Sequence, residues 1–480
     1  MTKGIHFLLV SLLFAGAMRF ENVGFAAAVG QISQQNLKPN VVLVIADQWR
    51  AQAFGFAGDP NARTPHLDRF AGSSSRFINA VAGVPVCCPT RASLLTGQRP
   101  LTTGVFMNDV PLAPDSVSLA KILKAAGYDT GYIGKWHLNG DGRSNFISRE
   151  RRQGFDYWKV LECTHDYNRS HYYGDGPEKL MWEGYDAIAQ TKDAVQFLQA
   201  RSERPFLLVL AWGPPHDPYH TAPANYQEMY RPEKITLRNN VPASMEKIVR
   251  ERAAGYYAHC SALDDCFGEL RETIRRVGLE ENTVVIFTSD HGDLLGSHGA
   301  WNKQQPYDEC IRVPFLIYWP AGLGTKPRQL DALLNSEDIM PTILGLCRVG
   351  IPKSAEGIDY SSYLRGGKNP SDNVTMISCV APFGQWNRKM GGREYRGIRT
   401  VRYSYVRDFK GPWLLYDNEQ DPFQMNNLIG RPDTYKLQKK LDSILRRKLA
   451  KAHDQFLPAE EYVRIWGYTV DKEGTVPYGP

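Results

Sequence analysis

Two short stretches of the sequence carry side chains that could attack an anionic ester and hold its charge. Cys87 is followed four residues later by Arg91, so a helix starting at Cys87 directs both side chains to one site. Lys135 and His137 lie two residues apart on a predicted strand and therefore point to the same face. A nucleophile, two cations and a base that titrates near neutral pH are the groups such a reaction needs.

Polar side chains follow two predicted buried strands. Asp47 and Gln48 come directly after an apolar, β-branched run, and Asp290 and His291 come directly after another. Such runs are typical of strands buried on both faces of an α/β sheet, whose carboxyl ends carry site residues. Carboxylate and amide oxygens suit a hard cation, Ca²⁺ or alternatively Mg²⁺, whereas the imidazole of His291 is a less typical ligand. A helix cap or a turn residue is the alternative for Asp47.

The stretch at residues 87–97, Cys-Cys-Pro-Thr-Arg-Ala-Ser-Leu-Leu-Thr-Gly, resembles the signature of the formylglycine-dependent (type I) sulfatases of the alkaline-phosphatase superfamily. The resemblance implies that a formylglycine-generating maturation enzyme oxidises Cys87. The hydrate of the aldehyde then attacks sulfur and forms a covalent sulfo-enzyme. Its second hydroxyl, once deprotonated, expels sulfate without a hydrolytic water. A pair of ordinary buried or disulfide-bonded thiols is the alternative for Cys87 and its neighbour.

Other segments resemble the same family in the same order, from about residue 39 to about residue 430. By this resemblance, Lys135 binds the sulfate and the formylglycine oxygen, and His137 takes the proton from the second hydroxyl. His216 matches a sulfate-contacting histidine and Lys303 matches a second sulfate-binding lysine. Either of these two could protonate the leaving alcohol. The implied catalytic residues are Cys87, Arg91, Lys135, His137, His216 and Lys303.

The metal ligands implied by the resemblance are Asp47, Gln48, Cys87, Asp290 and His291. Two of them depart from the family pattern. Gln48 stands where the family has the second acid of a pair, and it offers a carbonyl oxygen without charge. His291 stands where the family often has asparagine, so its role as a ligand stays open.

A predicted loop over residues 163–173 is rich in aromatic side chains and histidine. Aromatic faces stack on sugars and arginine binds anions, so His165, Arg169 and His171 are candidate substrate contacts, with Arg169 as the anion contact. A packed surface loop is the alternative. Together with the net charge of +6 and predicted export, this loop favours a sulfated carbohydrate or polysaccharide over a small aryl or alkyl sulfate.

Two other functions share parts of this pattern. A phosphatase or phosphodiesterase of the alkaline-phosphatase superfamily typically uses two zinc ions and an unmodified Ser or Thr, which Cys87 and the few histidine ligands disfavour. A sulfatase homologue that only binds glycans is disfavoured because every catalytic motif residue is present. The sequence has no long Lys/Arg run and no zinc-finger spacing, so nucleic acid is not an expected partner.

The N-terminus predicts export. Lys3 precedes a mostly apolar stretch, and small residues follow at 15–17 and 26–28, so residues 1–28 are predicted to be a signal peptide. The apolar stretch is short for a bilayer span, and no later stretch could span one. We therefore expect a periplasmic or secreted protein without a membrane span in the mature chain. An uncleaved membrane anchor is the alternative.

The chain is 480 residues long, enough for a large core and two domains. The family resemblance implies a large α/β domain with a mostly parallel or mixed central sheet flanked by helices, and we place this catalytic domain at residues 39–360. Alternating short runs then predict a smaller C-terminal domain of antiparallel sheet plus helix over residues 370–480. The amphipathic helix predicted over residues 435–452 carries apolar positions that suit packing on the small sheet.

Overall fold

The computed structural model describes residues 38–200 and 203–478, and the predicted signal peptide lies outside these residues. The strands are β1 (Asn40–Asp47), β2 (Ser75–Val81), β3 (Asp129–Lys135), β4 (Tyr157–Leu161), β5 (His171–Tyr172), β6 (Leu180–Met181), β7 (Phe206–Pro215), β8 (Thr283–Ser289), β9 (Phe315–Tyr318), β10 (Arg328–Asn335), β11 (Val374–Cys379), β12 (Tyr395–Thr400), β13 (Tyr403–Asp408) and β14 (Gly411–Asp417). The α-helices are α1 (Pro65–Ala71), α2 (Cys87–Thr96), α3 (Pro100–Thr103), α4 (Leu119–Ala125), α5 (Asp186–Gln199), α6 (Ala224–Gln227), α7 (Glu246–Arg276), α8 (Asp308–Ile311), α9 (Pro320–Leu323), α10 (Ile339–Leu346), α11 (Ser361–Leu364), α12 (Tyr435–Lys451) and α13 (Ala459–Trp466).

An eight-stranded mixed sheet forms the centre of the fold, with strand order β10-β2-β9-β8-β1-β7-β3-β4. β9 is antiparallel to both of its neighbours, and the remaining pairs are parallel. β1 is buried along its whole length because alternate side chains enter the apolar layers on the two faces of the sheet. This arrangement confirms the predicted α/β class with a large, mostly parallel or mixed sheet.

The longest helix, α7, covers one face of the sheet. Its apolar side chains, such as Tyr256 and Phe267, lie in the same core layer as Val42 and Val44 of β1. Gly278 follows α7 with a φ of +72°, the left-handed conformation that ends many helices. Across residues 38–200 and 203–478, no helix combines the length and the apolar character that crossing a bilayer requires.

The smaller sheet is antiparallel, with strand order β11-β12-β13-β14. α12 packs on it through Leu441 and Leu445, which are buried with residues of β12, β13 and β14, as its amphipathic pattern predicts. The chain turns at Val401 and Arg402 between β12 and β13, which pair as a hairpin. The alternating pattern continues through this tight turn, so it does not mark the break.

The small sheet forms one apolar core with α12, but it shares another with the large sheet, where Val81 and Leu333 lie in one buried cluster with Ile377 and Tyr395. The division into a catalytic domain over residues 39–360 and a smaller domain over residues 370–480 therefore stays a prediction. The last described segment departs from this division. Tyr462 of α13 and Tyr468 beyond it lie against Phe106, with ring centroids 6.0 and 5.7 Å away. Residues near the C-terminus therefore help to cover the core of the large sheet.

Candidate active site

Four neighbouring parallel strands carry polar residues to one edge of the central sheet. The ends of β8, β1, β7 and β3 lead to Asp290, Asp47, His216 and Lys135, respectively. The register pairs Ala46 with Ser289, so the two acids come directly after neighbouring positions. In β3, Gly134 has a φ of +102°, and a Cβ there would lie 2.1 Å from the carbonyl oxygen of Ala211. Glycine thus permits the close approach of β3 to β7 just before Lys135.

The helix α2 begins at Cys87 and places Arg91 one turn further along, with both side chains buried. Each of the three guanidinium nitrogens of Arg91 contacts a protein acceptor. Nε lies 3.1 Å from Asp290 Oδ2, Nη2 lies 3.2 Å from Asp47 Oδ2, and Nη1 donates to the carbonyl oxygen of Lys135 at 2.9 Å. Arg91 therefore binds the two acids together and balances part of their charge.

The Cys87 thiol lies between cations. Its Sγ atom is 3.2 Å from Lys303 Nζ, 3.3 Å from His291 Nε2 and 3.8 Å from Lys135 Nζ. Burial opposes ionisation of this thiol, but the two lysines outweigh it and hold the pKa of Cys87 well below its usual value. All eight cysteines lie among the described residues, and none forms a disulfide. The structure thus has a strong anion-stabilising position at residue 87.

Donor atoms of Asp47, Cys87, Asp290 and His291 lie within 4.8 Å of one another, and all four side chains are buried. Burial and the nearby charge of Asp47 raise the pKa of Asp290. Two buried carboxylates at this separation favour a bound cation, which offsets their repulsion. The donor set is rich in oxygen and fits a hard divalent cation, provided that residue 87 contributes an oxygen in place of its soft sulfur.

Gln48 lies at the border of this group. Its backbone has a φ of +69°, and such left-handed conformations outside glycine concentrate at functional sites. Its side-chain oxygen accepts a hydrogen bond from Lys303 Nζ at 3.2 Å, and its Nε2 donates to Asp293 at 2.8 Å. Tyr219 also donates to the Asp293 carboxylate. The fixed amide therefore presents its oxygen toward Lys303 at the edge of the acidic group.

A second group of potential ligands, His66, Asp264 and Asp265, lies on the outer side of α7. The two carboxylate oxygens of Asp264 accept hydrogen bonds from the backbone N–H groups of His66 and Leu67 at 2.9 and 2.7 Å. These are unpaired N–H groups in the first turn of α1, so Asp264 has a capping role. The side chain of Asp265 is 55% exposed, unlike any member of the buried group.

His216 and Lys303 form a hydrogen bond whose donor and acceptor can be assigned. His216 Nδ1 lies 2.8 Å from the carbonyl oxygen of Asp217, which can only accept, so Nδ1 carries a proton. Nε2 lies 2.8 Å from Lys303 Nζ and accepts from the ammonium group. Burial and the charge of Lys303 lower the pKa of His216 to about 3. The ring is therefore neutral at pH 7, and the transferable proton of the pair is on Lys303.

His137 is held by the carboxylate of Asp109, which no sequence motif predicts. His137 Nε2 donates to Asp109 Oδ1 at 3.1 Å, and Arg143 grips the same carboxylate with two hydrogen bonds of 2.9 and 2.8 Å. His137 Nδ1 is buried and has no hydrogen-bond partner among the described residues. The backbones of His137 and Asp109 have φ values of +57° and +64°. The single acid within the otherwise mostly apolar segment 104–112 is the only sequence signal for Asp109.

The segment 163–173 reaches the catalytic groups through His165. Its ring stacks on the ring of His216, with centroids 4.8 Å apart and planes 9° apart. Arg169 is 83% exposed and pairs with Asp166 of the same segment at 3.2 Å, and none of its described contacts joins it to the catalytic group. His171 lies in β5, which pairs with β6, so the predicted loop contains a short strand. Of the three candidate substrate contacts, the structure brings only His165 to His216.

Comparison with known proteins agrees with the sequence pattern. The family model described as Sulfatase matches residues 39–349, and that described as N-sulphoglucosamine sulphohydrolase, C-terminal, matches residues 296–451. The chain is 44% identical to the ulvan-active sulfatase of Formosa agariphila, over 94% of this chain and 89% of the relative. It is 28% identical to the endo-4-O-sulfatase of Bacteroides thetaiotaomicron, over 83% and 89% of the two chains. A solved structure in complex with its substrate, D-glucosamine-2-N,6-O-disulfate, has a TM-score of 0.76 at 25% identity and covers 88% of this chain and 100% of its own.

Proposed function

Because the chain belongs to the sulfatase family, we propose that it hydrolyses sulfate monoesters of a sulfated carbohydrate with residue 87 as the nucleophile. The observation that carries this proposal is the position of the Cys87 side chain. Its Sγ atom lies 3.2 Å from Lys303 Nζ and 3.8 Å from Lys135 Nζ, beside a buried pair of carboxylates. A sulfate group repels nucleophiles, and two cations at the point of attack reduce that repulsion.

We propose that a maturation enzyme converts Cys87 to formylglycine, as in the family signature that residues 87–97 resemble. One hydroxyl of the hydrated aldehyde forms a bond to sulfur while the bond from sulfur to the leaving oxygen breaks. Loss of a proton from the other hydroxyl then re-forms the carbonyl and releases sulfate. His137 is the base for this second step, since its Nδ1 is buried, unpartnered in the described chain and able to accept.

Lys135 and Lys303 are the proposed contacts to the sulfate oxygens, because both ammonium groups face residue 87. We assign the protonation of the leaving alcohol to Lys303, because His216 accepts from its ammonium group and so orients a donor. Arg91 acts on the acids rather than on the substrate, because Asp47, Asp290 and a backbone carbonyl occupy its donors.

We propose that Asp47, Gln48, Asp290 and His291, with an oxygen from residue 87, hold one Ca²⁺ or Mg²⁺. A cation bound there would balance the two carboxylates and polarise a sulfate oxygen. The Gln48 oxygen already accepts from Lys303, so the cation and the lysine would share this acceptor. The neutral amide of Gln48 lowers the negative charge of the site by one compared with the acid of the family pattern.

The carbohydrate substrate is proposed from three observations. The names of the relatives include an ulvan-active sulfatase, and a structural neighbour binds a disulfated glucosamine. The net charge of +6 favours an anionic glycan. His165 extends the catalytic group by stacking on His216 and is the proposed contact to the sugar. The predicted signal peptide supports action in the periplasm or outside the cell, where such polymers are encountered.

The proposed function predicts a clear order of substrates. Matured protein should release sulfate from defined sulfated oligosaccharides with kcat/KM roughly 10–200-fold above that for a small aryl sulfate, because the sugar adds charge-assisted contacts. Sulfate release is measured by ion chromatography, and a phosphate monoester is run in parallel. A preference for the phosphate ester would favour a phosphatase, and a preference for the aryl sulfate would contradict the carbohydrate assignment.

Replacing Asp109 should weaken the proposed base. In Asp109→Asn the amide can also donate toward His137 Nε2, so the tautomer with a free Nδ1 acceptor is no longer enforced. We expect kcat to fall by roughly 10²–10⁴-fold. Burial lowers the pKa of His137, but Cys88, Cys163 and the hydrogen bond to Asp109 raise it well above its usual value. Activity requires the neutral ring, so losing the carboxylate should move the acidic limb of the pH–rate profile to lower pH.

Two matched variants separate this effect from a general loss of structure. Arg143→Ala removes the group that grips Asp109, whereas Arg143→Lys retains a charge there and should restore part of kcat. Asp141→Asn alters an exposed acid near by and should change neither kcat nor the profile. An unchanged acidic limb in Asp109→Asn would show that His137 is not the titrating base.

A further inference from the structure

An open cavity of about 570 Å³ adjoins the catalytic pair His216 and Lys303. Its lining includes Asp217 and Asn302, which are the next residue after His216 and the residue before Lys303. Asn302 Nδ2 donates to Asp217 Oδ1 at 2.8 Å, so these two side chains form one wall between the cavity and the catalytic pair.

The composition of the lining suits a sugar ring. Tyr219 and Tyr230 supply aromatic surface that is otherwise largely buried, and Pro218 adds an apolar face. Gln227 and His220 supply polar groups at the edge of the same cavity. Carbohydrates bind well to aromatic faces framed by hydrogen-bonding groups, and the volume lies within the range of small-molecule sites.

Arg252, on the outer face of α7, places a positive charge in this lining. Its guanidinium lies over the ring of Trp301, 4.2 Å from the centroid, which fixes the side chain without neutralising it. None of the ion pairs among the described residues includes Arg252. Glu251 lies beside it and offers an acceptor for hydroxyls, whereas Asp217 already accepts from Asn302. The guanidinium of Arg252 therefore remains available to an anion.

We propose that this cavity is the subsite for the sugar next to the sulfate ester, and that Arg252 binds an anionic substituent of that sugar, a carboxylate or a second sulfate. The planar guanidinium matches the oxygens of either group. The assignment rests on the proposed sulfatase function. In that function Lys303 protonates the leaving alcohol, so the sugar that carries this alcohol lies on the side of His216 and Lys303. It makes Arg252 a specificity-determining residue that leaves the chemistry at residue 87 unaltered.

Substrate selectivity tests this assignment. Arg252→Ala should reduce kcat/KM on ulvan oligosaccharides by about 10–150-fold, the effect of one lost charge-assisted hydrogen bond. Activity on a small aryl sulfate, which does not extend into the cavity, should change by less than about 3-fold. Arg275→Ala is the matched control, because Arg275 lies on the same helix, is exposed and pairs with Glu272 away from the cavity. Equal losses on both substrates, or no loss on either, would overturn the assignment.

Carboxyl-reduced ulvan oligosaccharides distinguish the two anions. If the effect of Arg252→Ala disappears on the reduced substrate, the contact is a carboxylate; if it persists, the contact is a sulfate.

Measuring oligosaccharide affinity by calorimetry in the Cys87→Ala variant makes the test independent of turnover. Adding Arg252→Ala to that variant should weaken binding about 10-fold or more, and unchanged binding would reject the subsite. If matured protein releases sulfate from neither substrate while binding still depends on Arg252, the proposed hydrolysis is rejected and the subsite is retained.

Discussion

Cys87→Ala should release no sulfate above background, a loss in kcat of roughly 10⁴-fold or more. Removing the nucleophile leaves only binding and charge stabilisation, which do not replace the covalent step. Lys135 and Lys303, both within 3.8 Å of the Cys87 sulfur, would still attract the sulfate group. Substrate affinity should therefore survive while turnover is lost, and calorimetry together with a sulfate-release assay separates the two quantities.

Peptide mass spectrometry tests the chemical state of residue 87 directly. Active protein should show a peptide lighter than the cysteine form, because a doubly bonded oxygen replaces the thiol and one hydrogen, and a hydrazine should trap it. Cys347→Ala is a suitable control, since Cys347 is buried beside the Tyr128 hydroxyl and outside the catalytic group. Fully active enzyme with an unmodified thiol at position 87 would contradict the mechanism and indicate a different nucleophile.

Regular elements explain why much of this site is predictable from the sequence. Asp47 and Asp290 end apolar runs, and neighbouring parallel strands must end at one edge of a sheet, so their proximity follows from the fold class. Cys87 and Arg91 share a helix face because their spacing matches one turn. Both arrangements follow from the periodicity of strands and helices, which the large domain obeys closely.

Contacts between irregular segments are not predictable in the same way. Asp109 and Arg143 meet His137 across loops, and the left-handed backbone of Asp109 leaves no periodic trace in the sequence. Arg169 shows a second limit of sequence patterns in loops, and its contact with the substrate stays a prediction. Its residue type and its aromatic neighbours predict an anion contact, yet the conformation of its segment turns it to solvent, while His165 reaches His216. Residue type indicates the chemistry of a loop, and the path of the backbone decides where that chemistry is used.

Asp290→Asn should lose the proposed cation together with activity. The substitution removes one of two buried carboxylates and leaves Arg91 with a single charged partner. We expect the content of Ca²⁺ or Mg²⁺ to fall from about one ion per chain to a small fraction, and kcat/KM to fall by roughly 10²–10⁴-fold, since a metal supplies several kcal/mol of charge stabilisation. Elemental analysis of the desalted protein gives the first quantity.

A thermal measurement makes the metal assignment independent of turnover. Ca²⁺ that binds only the folded state should raise the Tm of the unsubstituted protein and leave that of Asp290→Asn unchanged. Asp265→Asn is the matched control, because Asp265 belongs to the other acidic group, is 55% exposed and should leave both the ion content and the Tm response intact. Two zinc ions per chain, or a calcium response that persists in Asp290→Asn, would contradict a single hard cation between Asp47 and Asp290. The first of these outcomes would also favour a phosphatase, because a two-zinc centre works with an unmodified hydroxyl rather than with an oxidised Cys87.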